Sequence, residues 1–287
     1  MSDKSQKKTV LQGPIGIFDS GFGGLTVLKD IRLKLPQYDY IYLGDNARAP
    51  YGTRSFDMVY NFTLQGVEAL FDFGCPLVIL ACNTASAKAL RTIQQKDLPK
   101  SSDPSRRILG VIRPTAEAVG AMSRSGHIGI FATPGTVASG SYDIEISNLH
   151  PHSISHGHAC PMWVPLIENG EWNTPGADYF IQKDVESLLK NDPLIDTIVL
   201  GCTHYPIMAE KIRKFLSDDI SLVSQGTIVA DSLACYLERH PEMEKRLRKN
   251  LTGKGHVAYY TTENPERFDT LATTFIGHSV TAKHITL

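Results

Sequence analysis

The sequence predicts an α/β fold of mainly parallel sheets flanked by helices, and three observations lead to this prediction. Short apolar strands alternate with helical segments of ten or more residues, which is the pattern of βαβ units. An apolar run in each half of the chain ends in a cysteine, at Cys82 and at Cys202. The length of 287 residues is typical of about two domains.

The first half begins with an apolar strand and the glycine-rich turn 19–24, after which leucine and isoleucine recur at helical spacing over 25–35. Ser55 is expected to cap a helix that continues to about Phe73. The remaining elements predicted for this half are strands 14–18, 39–43, 77–81 and 108–112, a helix over 84–95, a surface loop over 96–107 and a helix from about Thr115.

The second half echoes the first, since each half carries a hydroxyl-rich turn and a strand tipped by cysteine. Residues 150–161 are predicted to be irregular, and 163–168 form an apolar segment that ends in Glu168. We expect the strands within 221–261 to cross back and complete the first domain. The predicted elements are strands 127–132, 197–201, 221–224 and 256–261, and helices 176–190, 227–240 and 265–275.

The composition excludes several classes of protein. Hydrophobic residues make up 42% of the chain and charged residues 21%, as in ordinary globular proteins. A formal net charge of −1 provides no basic field for nucleic acid and no polybasic patch for a membrane. No apolar run approaches the ~20 residues of a membrane-spanning helix. Residues 1–12 are polar, lack the apolar segment of a signal peptide and are expected to be a disordered leader.

The cysteines predict a reducing, cytoplasmic environment, because five widely spaced cysteines in a chain of this size indicate free thiols. Cys75, Cys160 and Cys235 are interpreted as small core residues. Cys82 and Cys202 differ from them, since each follows a buried strand and opens a helix. The carboxyl end of a strand is where open α/β sheets bind ligands, and a helix N-terminus lowers the pKa of a thiol.

Two such thiols indicate proton transfer at a carbon centre. One thiolate would remove a proton from one face while the opposite thiol supplies a proton to the other, so that the centre is inverted. Asp19 and His204 could each take the proton of one cysteine or orient it. Neighbouring hydroxyls and amides would hold an amino group and carboxylates.

Other interpretations of these motifs remain open at this stage. The turn 19–24 lacks the spacing of a dinucleotide loop, and its glycines would instead let backbone amides approach a small anion. The run His156, His158, Cys160 has the spacing of metal ligands but needs further ligands elsewhere. A thiol hydrolase or redox enzyme would use one cysteine, a binding module neither, and a pyridoxal enzyme a lysine.

Four motifs together resemble the glutamate racemases of the aspartate/glutamate racemase superfamily. They are Asp19-Ser20-Gly21 with Gly23-Gly24-Leu25, Gly44-Asp45 through Pro50-Tyr51-Gly52, Ala81-Cys82-Asn83-Thr84-Ala85, and Gly201-Cys202-Thr203-His204-Tyr205-Pro206. The resemblance covers nearly the whole chain beyond the leader. It implies cofactor-independent interconversion of L- and D-glutamate for peptidoglycan synthesis, without metal, in a cytoplasmic protein expected to be a homodimer.

The resemblance also implies the arrangement of domains and the roles of individual residues. The expected domains are pseudo-symmetric and share one cleft, with 13–110 plus 222–287 as the first and 111–221 as the second. Cys82 and Cys202 match the catalytic cysteines, Asp19 and His204 their assisting residues, and Glu168 a further position near the site. The positions that match substrate-binding residues are Asp19, Ser20, Pro50, Tyr51, Gly52, Asn83, Thr84, Thr136, Thr203 and His204.

The nearest alternative is another racemase of the superfamily, acting on aspartate or a hydantoin. The loop that contains Tyr51 and the residues that follow His204 favour glutamate. One departure from the family pattern is Ser224-Gln225-Gly226, where many relatives carry an acidic turn. This departure leaves the catalytic interpretation intact.

Overall fold

The computed structural model describes residues 12–250 and 253–287, so the predicted leader lies almost entirely outside the described residues. Its strands confirm the predicted α/β class. They are β1 (Ile15–Asp19), β2 (Tyr40–Gly44), β3 (Leu77–Leu80), β4 (Arg107–Gly110), β5 (His127–Ala132), β6 (Ile154–Ala159), β7 (Thr197–Gly201), β8 (Ser221–Val223), β9 (Val257–Thr261) and β10 (Ala282–His284).

These strands form two sheets in which every strand pairing is parallel. The larger sheet has the order β10-β9-β2-β1-β3-β4 and the smaller has the order β6-β5-β7-β8. The segment β2-β1-β3-β4 therefore has the same connectivity as the whole smaller sheet. In each sheet the chain reverses its direction of winding beside the first strand, between β1 and β3 or between β5 and β7. Such a switch point is where open α/β sheets bind ligands.

The helices flank the sheets in the alternating pattern that the sequence predicts. They are α1 (Gly24–Lys34), α2 (Phe56–Asp72), α3 (Asn83–Lys88), α4 (Leu90–Thr92), α5 (Ile112–Met122), α6 (Pro134–Ala138), α7 (Ser141–Leu149), α8 (Trp163–Glu168), α9 (Pro175–Asn191), α10 (Ala209–Arg213), α11 (Gln225–Arg239), α12 (Pro241–Glu244) and α13 (Pro265–Ile276). Within the described part of the chain, no helix combines the length and apolarity that crossing a bilayer requires.

Local chemistry explains where several helices begin. Ser55 caps α2 as predicted, with its hydroxyl accepting a hydrogen bond from the Met58 amide. Thr133 caps α6 in the same way, accepting from the Thr136 amide. Cys82 occupies the N-cap position of α3, and its sulfur accepts from the Ala85 amide at 3.4 Å.

Two predictions about secondary structure are wrong in part. Residues 150–161 contain the regular strand β6, whose polar side chains conceal it because it lies at the edge of its sheet and none of its residues is fully buried. Helical structure continues past residue 95, through a π-turn at Ile93–Asp97 and a 3₁₀ turn at Leu98–Lys100, into the predicted loop. The C-terminal strand β10 was not predicted.

The C-terminal part of the chain returns to the larger sheet, with β9 beside β2 and β10 at the edge. The short strand β8 was expected in this sheet but pairs with β7 in the smaller one. A three-residue strand carries too little pattern to indicate its partner, because register is specified by side chains along a longer face. The exact domain boundaries stay a prediction.

One expectation about the core is wrong. Cys75 and Cys160 are buried as predicted, but Cys235 is exposed. Cys235 lies in α11, whose buried face is formed by Val229, Leu233 and residues in phase with them. Position 235 falls on the opposite side of that helix.

Candidate active site

The carboxyl ends of strands from both sheets converge on one small cavity of about 70 Å³. Its walls contain both cysteine motifs, since Cys82 follows β3 and Cys202 follows β7. A cavity this size admits only a small molecule. Its lining residues are Ser20, Pro50, Tyr51, Gly52, Thr53, Cys82, Asn83, Thr84, Thr133, Pro134, Cys160, Pro161, Val164, Pro165, Glu168, Cys202, Thr203 and His204.

Cys82 lies in an apolar, anionic environment. Its thiol is 5% exposed and donates a hydrogen bond to the Ser20 hydroxyl at 3.4 Å. Burial, with a smaller contribution from the Asp19 carboxylate, raises the pKa of the Cys82 thiol to about 12, and the hydrogen bonds with Ser20 and Ala85 oppose the shift. The predicted lowering of this pKa is therefore wrong, because desolvation outweighs the N-terminus of a six-residue helix.

Cys202 has a different neighbour. Its sulfur lies 3.9 Å from Nδ1 of His204, and the other ring nitrogen of His204 lies 3.0 Å from Oε1 of Glu168. Burial opposes protonation of His204, but the hydrogen bonds and negative charge of Cys202 and Glu168 outweigh it and raise the pKa of His204 to about 10. The imidazole is thus a cation at neutral pH, and a cation beside a cysteine stabilises its thiolate.

Helix α8 places Glu168 beside Cys202 and His204. Trp163, at the start of α8, is fully buried between Phe131 and Tyr205, with ring centroids 4.9 and 4.8 Å apart. Ile167 is also buried, which directs the adjacent Glu168 to the rim of the cavity, where its side chain is 22% exposed. The sequence alone indicated a surface carboxylate at this position, and only the family resemblance placed Glu168 near the site.

Asp19 lies at the end of β1 and is fully buried. Its carboxylate accepts hydrogen bonds from the Gly21 amide at 2.9 Å and from the Thr203 hydroxyl at 3.4 Å. Burial raises the pKa of Asp19, while the positive charge of His204 and the backbone amides oppose this shift. Asp19 therefore lies between the two cysteine motifs and bonds directly to the residue after Cys202.

The glycine-rich turn packs closely against both polar groups of the site. The Gly21 amide donates to the Asp19 carboxylate at 2.9 Å. A Cβ atom on Gly23 would lie 2.3 Å from Oγ1 of Thr203 and 2.4 Å from Nδ1 of His204. The missing side chain at Gly23 thus lets the turn after β1 approach the second cysteine motif closely.

The loop after β2 places Tyr51 and Gly52 at the cavity. The buried Asp45 carboxylate accepts from Nε of Arg48 at 2.7 Å and from the Thr262 hydroxyl at 2.8 Å, and it also accepts from the Tyr51 hydroxyl. Asp45 and Tyr51 are 0% and 1% exposed. This segment is therefore an anchored wall of the site.

Three threonine hydroxyls meet where the two sheets approach each other. Oγ1 of Thr84 lies 2.9 Å from Oγ1 of Thr133 and 3.2 Å from Oγ1 of Thr136. The Oγ1 atoms of Thr133 and Thr136 are 3.1 Å apart. Thr136 lies just behind the cavity wall, whereas Thr84 and Thr133 form part of it. Three adjacent hydroxyls can bind a carboxylate of the substrate.

Sequence reasoning missed several wall residues. Cys160, Val164 and Pro165 line the cavity, although the sequence suggested only a core cysteine and an apolar segment. The signal that was available is the position of Cys160 directly after a strand, which was hidden because β6 itself was not recognised.

One group of residues in the described part of the chain could hold a metal ion. Ligand atoms of His158, Cys160 and Asp184 lie within 4.8 Å of one another. His158 Nε2 is 3.0 Å from Asp184 Oδ1, and the Cys160 thiol donates to the His158 carbonyl oxygen at 3.7 Å. His156, part of the same sequence run, instead pairs with Asp192 at 2.9 Å.

A larger cavity of about 560 Å³ lies away from the cysteines. It is bordered by α4, α5 and α11 and contains Arg91, Arg113 and Arg239, together with the carboxylates of Glu117 and Glu145. None of the predicted catalytic or substrate-binding residues lines it. The candidate chemistry therefore belongs to the smaller cavity.

Comparison with known proteins identifies the family of this chain. Residues 27–233 match the model of the Asp/Glu/Hydantoin racemase family. The chain belongs to that family. It is 40% identical over 277 residues to a glutamate racemase of Ruegeria sp., and the alignment covers 93% of this chain and 98% of the relative. It is 41% identical over 276 residues to one of Roseobacter denitrificans, with 93% and 97% covered.

Solved structures of the family have the same fold. A glutamate racemase from Bacillus anthracis aligns with a TM-score of 0.86 at 33% identity, covering 96% of this chain and 98% of that one. A glutamate racemase from Francisella tularensis in complex with D-glutamate aligns with a TM-score of 0.80 at 30% identity, covering 96% and 97%. The resemblance and the fold class predicted from the sequence are confirmed.

Proposed function

We propose that this protein interconverts L- and D-glutamate by proton transfer between the substrate α-carbon and two cysteines, Cys82 and Cys202. The observation that carries the proposal is that each thiol follows the third strand of one of two similarly connected sheets and that both line a single small cavity. The relatives named as glutamate racemases support the choice of glutamate.

The two thiols have different neighbours. Cys202 faces the His204 imidazolium and serves as the base toward L-glutamate, whereas Cys82, whose pKa is raised, serves as the acid. Cys202 removes the α-proton of L-glutamate, and the electron pair stays on the α-carbon. Cys82 then donates its proton to the opposite face, which gives D-glutamate, a Cys202 thiol and a Cys82 thiolate. The reverse reaction exchanges the roles.

The remaining wall residues hold the substrate. The hydroxyls of Thr84 and Thr203 and the backbone around Asn83 and Gly52 would bind the two carboxylates and the amino group. Asp19 and His204 assist Cys82 and Cys202 respectively, and Glu168 supports the charge of His204. These polar groups account for substrate binding and for proton transfer without a metal or an organic cofactor. Dialysis against a chelator should therefore leave the rate unchanged, and a loss that zinc restores would contradict this.

The setting of the enzyme follows from the same assignment. D-glutamate is a component of peptidoglycan, so the protein would act in cell-wall synthesis in the cytoplasm, where its free thiols stay reduced. We expect a homodimer, which sedimentation analysis would reveal.

The decisive experiment incubates the purified protein with L-glutamate, without cofactor, while optical rotation is followed. The signal should decay to zero as the racemic mixture forms. Cys82→Ser and Cys202→Ser should each abolish the decay, because a serine hydroxyl does not ionise at the working pH and cannot act as the base. Cys235→Ser, which changes the exposed thiol of α11, is the matched control and should be fully active. Decay with aspartate but not with glutamate would identify a different racemase of the family.

A further inference from the structure

At the cavity wall and behind it, four buried polar side chains form a closed hydrogen-bond network. Asn83 donates from Nδ2 to Gln225 Oε1 at 2.6 Å and accepts at Oδ1 from the Tyr142 hydroxyl at 2.7 Å. Gln225 Nε2 donates to the Tyr142 hydroxyl at 2.7 Å and to Oγ1 of Thr115 at 2.9 Å. The four residues are 0–4% exposed. We call Asn83, Thr115, Tyr142 and Gln225 the amide network.

The amide network joins the first cysteine motif to the other half of the molecule. Asn83 is the first residue of α3, directly after Cys82. Thr115 belongs to α5 and Tyr142 to α7, and both helices pack with β5 and β7 in one hydrophobic cluster. Gln225 is the first residue of α11, two positions after β8. The residue beside Cys82 is therefore tied to elements that pack on the sheet that carries Cys202.

Hydrogen-bond direction explains why position 225 is an amide. The Thr115 hydroxyl donates to the Val111 carbonyl oxygen at 2.7 Å, and the Tyr142 hydroxyl donates to Asn83, so both need a donor from Gln225. Asn83 Nδ2 needs an acceptor. Only a primary amide accepts once and donates twice at one position, whereas a carboxylate cannot donate. The departure from the family pattern at 224–226 thus supplies a group that completes the network.

We infer that Gln225 and Tyr142 are positioning residues that fix the N-terminus of α3, and with it the Cys82 thiol, relative to the opposite half of the cleft. The inference rests on the proposed two-thiol function. The Cys82 sulfur caps α3, so a shift of Asn83 moves the thiol that must meet the substrate α-carbon. A displacement of about 1 Å in a reacting group can lower a rate about 100-fold.

The test measures the two faces of the substrate separately. With β-chloroglutamate, removal of the α-proton expels chloride, and the resulting enamine hydrolyses to a keto acid and ammonia, so one thiol suffices. The enantiomer that Cys202→Ser still processes reports on Cys82. For Gln225→Met and for Tyr142→Phe we expect kcat for that enantiomer to fall about tenfold. For the other enantiomer kcat should stay within about twofold.

Matched controls lose one similar hydrogen bond elsewhere. Gln94→Met removes a bond to the Ile108 carbonyl oxygen, and Tyr60→Phe removes a bond to Asp97. Both control variants should have the wild-type kcat for each of the two enantiomers. If Gln225→Met does not fold, Tyr142→Phe, which removes a single oxygen, tests the same network.

The outcomes separate the inference from the proposed function. Wild-type protein that is inactive on glutamate and on both chloro enantiomers would overturn the proposed function and this inference with it. Active wild-type protein whose Gln225 and Tyr142 variants retain full activity, or lose activity equally on both enantiomers, would overturn the inference alone.

Discussion

Nε2 of His204 lies 3.0 Å from Oε1 of Glu168. This contact, with Cys202 on the other ring nitrogen, keeps the imidazole charged beside one thiol. Among the described residues, the neighbours of Cys82 are instead the Ser20 hydroxyl and the buried Asp19 carboxylate. The two halves of the site are similar in connectivity and unlike in electrostatics, and several predictions depend on that difference.

Replacing Glu168 by glutamine should lower the pKa of His204 from about 10, because a neutral amide stabilises the imidazolium less than a carboxylate does. NMR titration of the His204 ring would measure the change. As the pH rises, the rate at which Cys202 deprotonates L-glutamate should then fall at a lower pH than in the wild type. Glu186→Gln, on the exposed face of α9, is the control and should leave the titration unchanged.

The charge of His204 should also appear in the stability of the fold. Its pKa of about 10 in the folded state lies above the ordinary histidine value of 6.5, so protonation favours folding. This contribution should be fully present below pH 6.5 and should disappear as the pH rises through about 10. The difference in unfolding free energy between wild type and His204→Asn, measured in urea, should shrink over that interval. A difference that grows with pH would refute the assignment of charge.

Gly23→Ala should severely reduce racemisation. The added methyl group would lie 2.3–2.4 Å from Thr203 and His204, so one of these side chains must move. Gly176→Ala, where the nearest atom is Thr174 Oγ1 at 3.6 Å, should retain activity. Steady-state kinetics of the two variants would compare them, and equal activities would show that the close approach is unimportant.

Removing the Asp45 carboxylate should destabilise the protein. Asp45→Ala leaves Arg48, Tyr51 and Thr262 without their shared acceptor in a buried site, a loss of about 3 kcal/mol. Asp231→Ala breaks an exposed ion pair with Lys34 and should lower the unfolding free energy far less, because solvent screens such a pair. Urea denaturation would give both values. Similar losses in the two variants would contradict the anchoring role of Asp45.

Asp19 and His204 should affect opposite faces of the substrate. His204→Asn should impair removal of the proton from L-glutamate more, because His204 contacts Cys202. Asp19→Asn should impair the Cys82 face more, since the carboxylate acts electrostatically on that thiol. The rate of α-proton exchange into deuterated water, measured for each enantiomer, distinguishes the faces. Because Asp19 also bonds to Thr203, equal effects on both faces would instead assign it to the binding of substrate.

The sequence by itself determined the class of fold and the position of most site residues. Buried parallel strands are continuous apolar runs, and each such run that ends in Cys82, Cys202 or Asp19 places a polar group at the same edge of a sheet. Motif order then sufficed to identify the family. These features are local, so periodicity and turn chemistry reveal them.

The tertiary structure decided what depends on contacts between distant segments. Packing, and not local pattern, determines that β6 is a polar edge strand and that β8 joins the smaller sheet. It also determines that Cys235 lies on the exposed face of α11. The pKa of Cys82 rises because neighbours remote in sequence bury it, which outweighs the helix terminus that the sequence displays. The amide network likewise joins residues 83 and 225, whose proximity exists only in the folded chain.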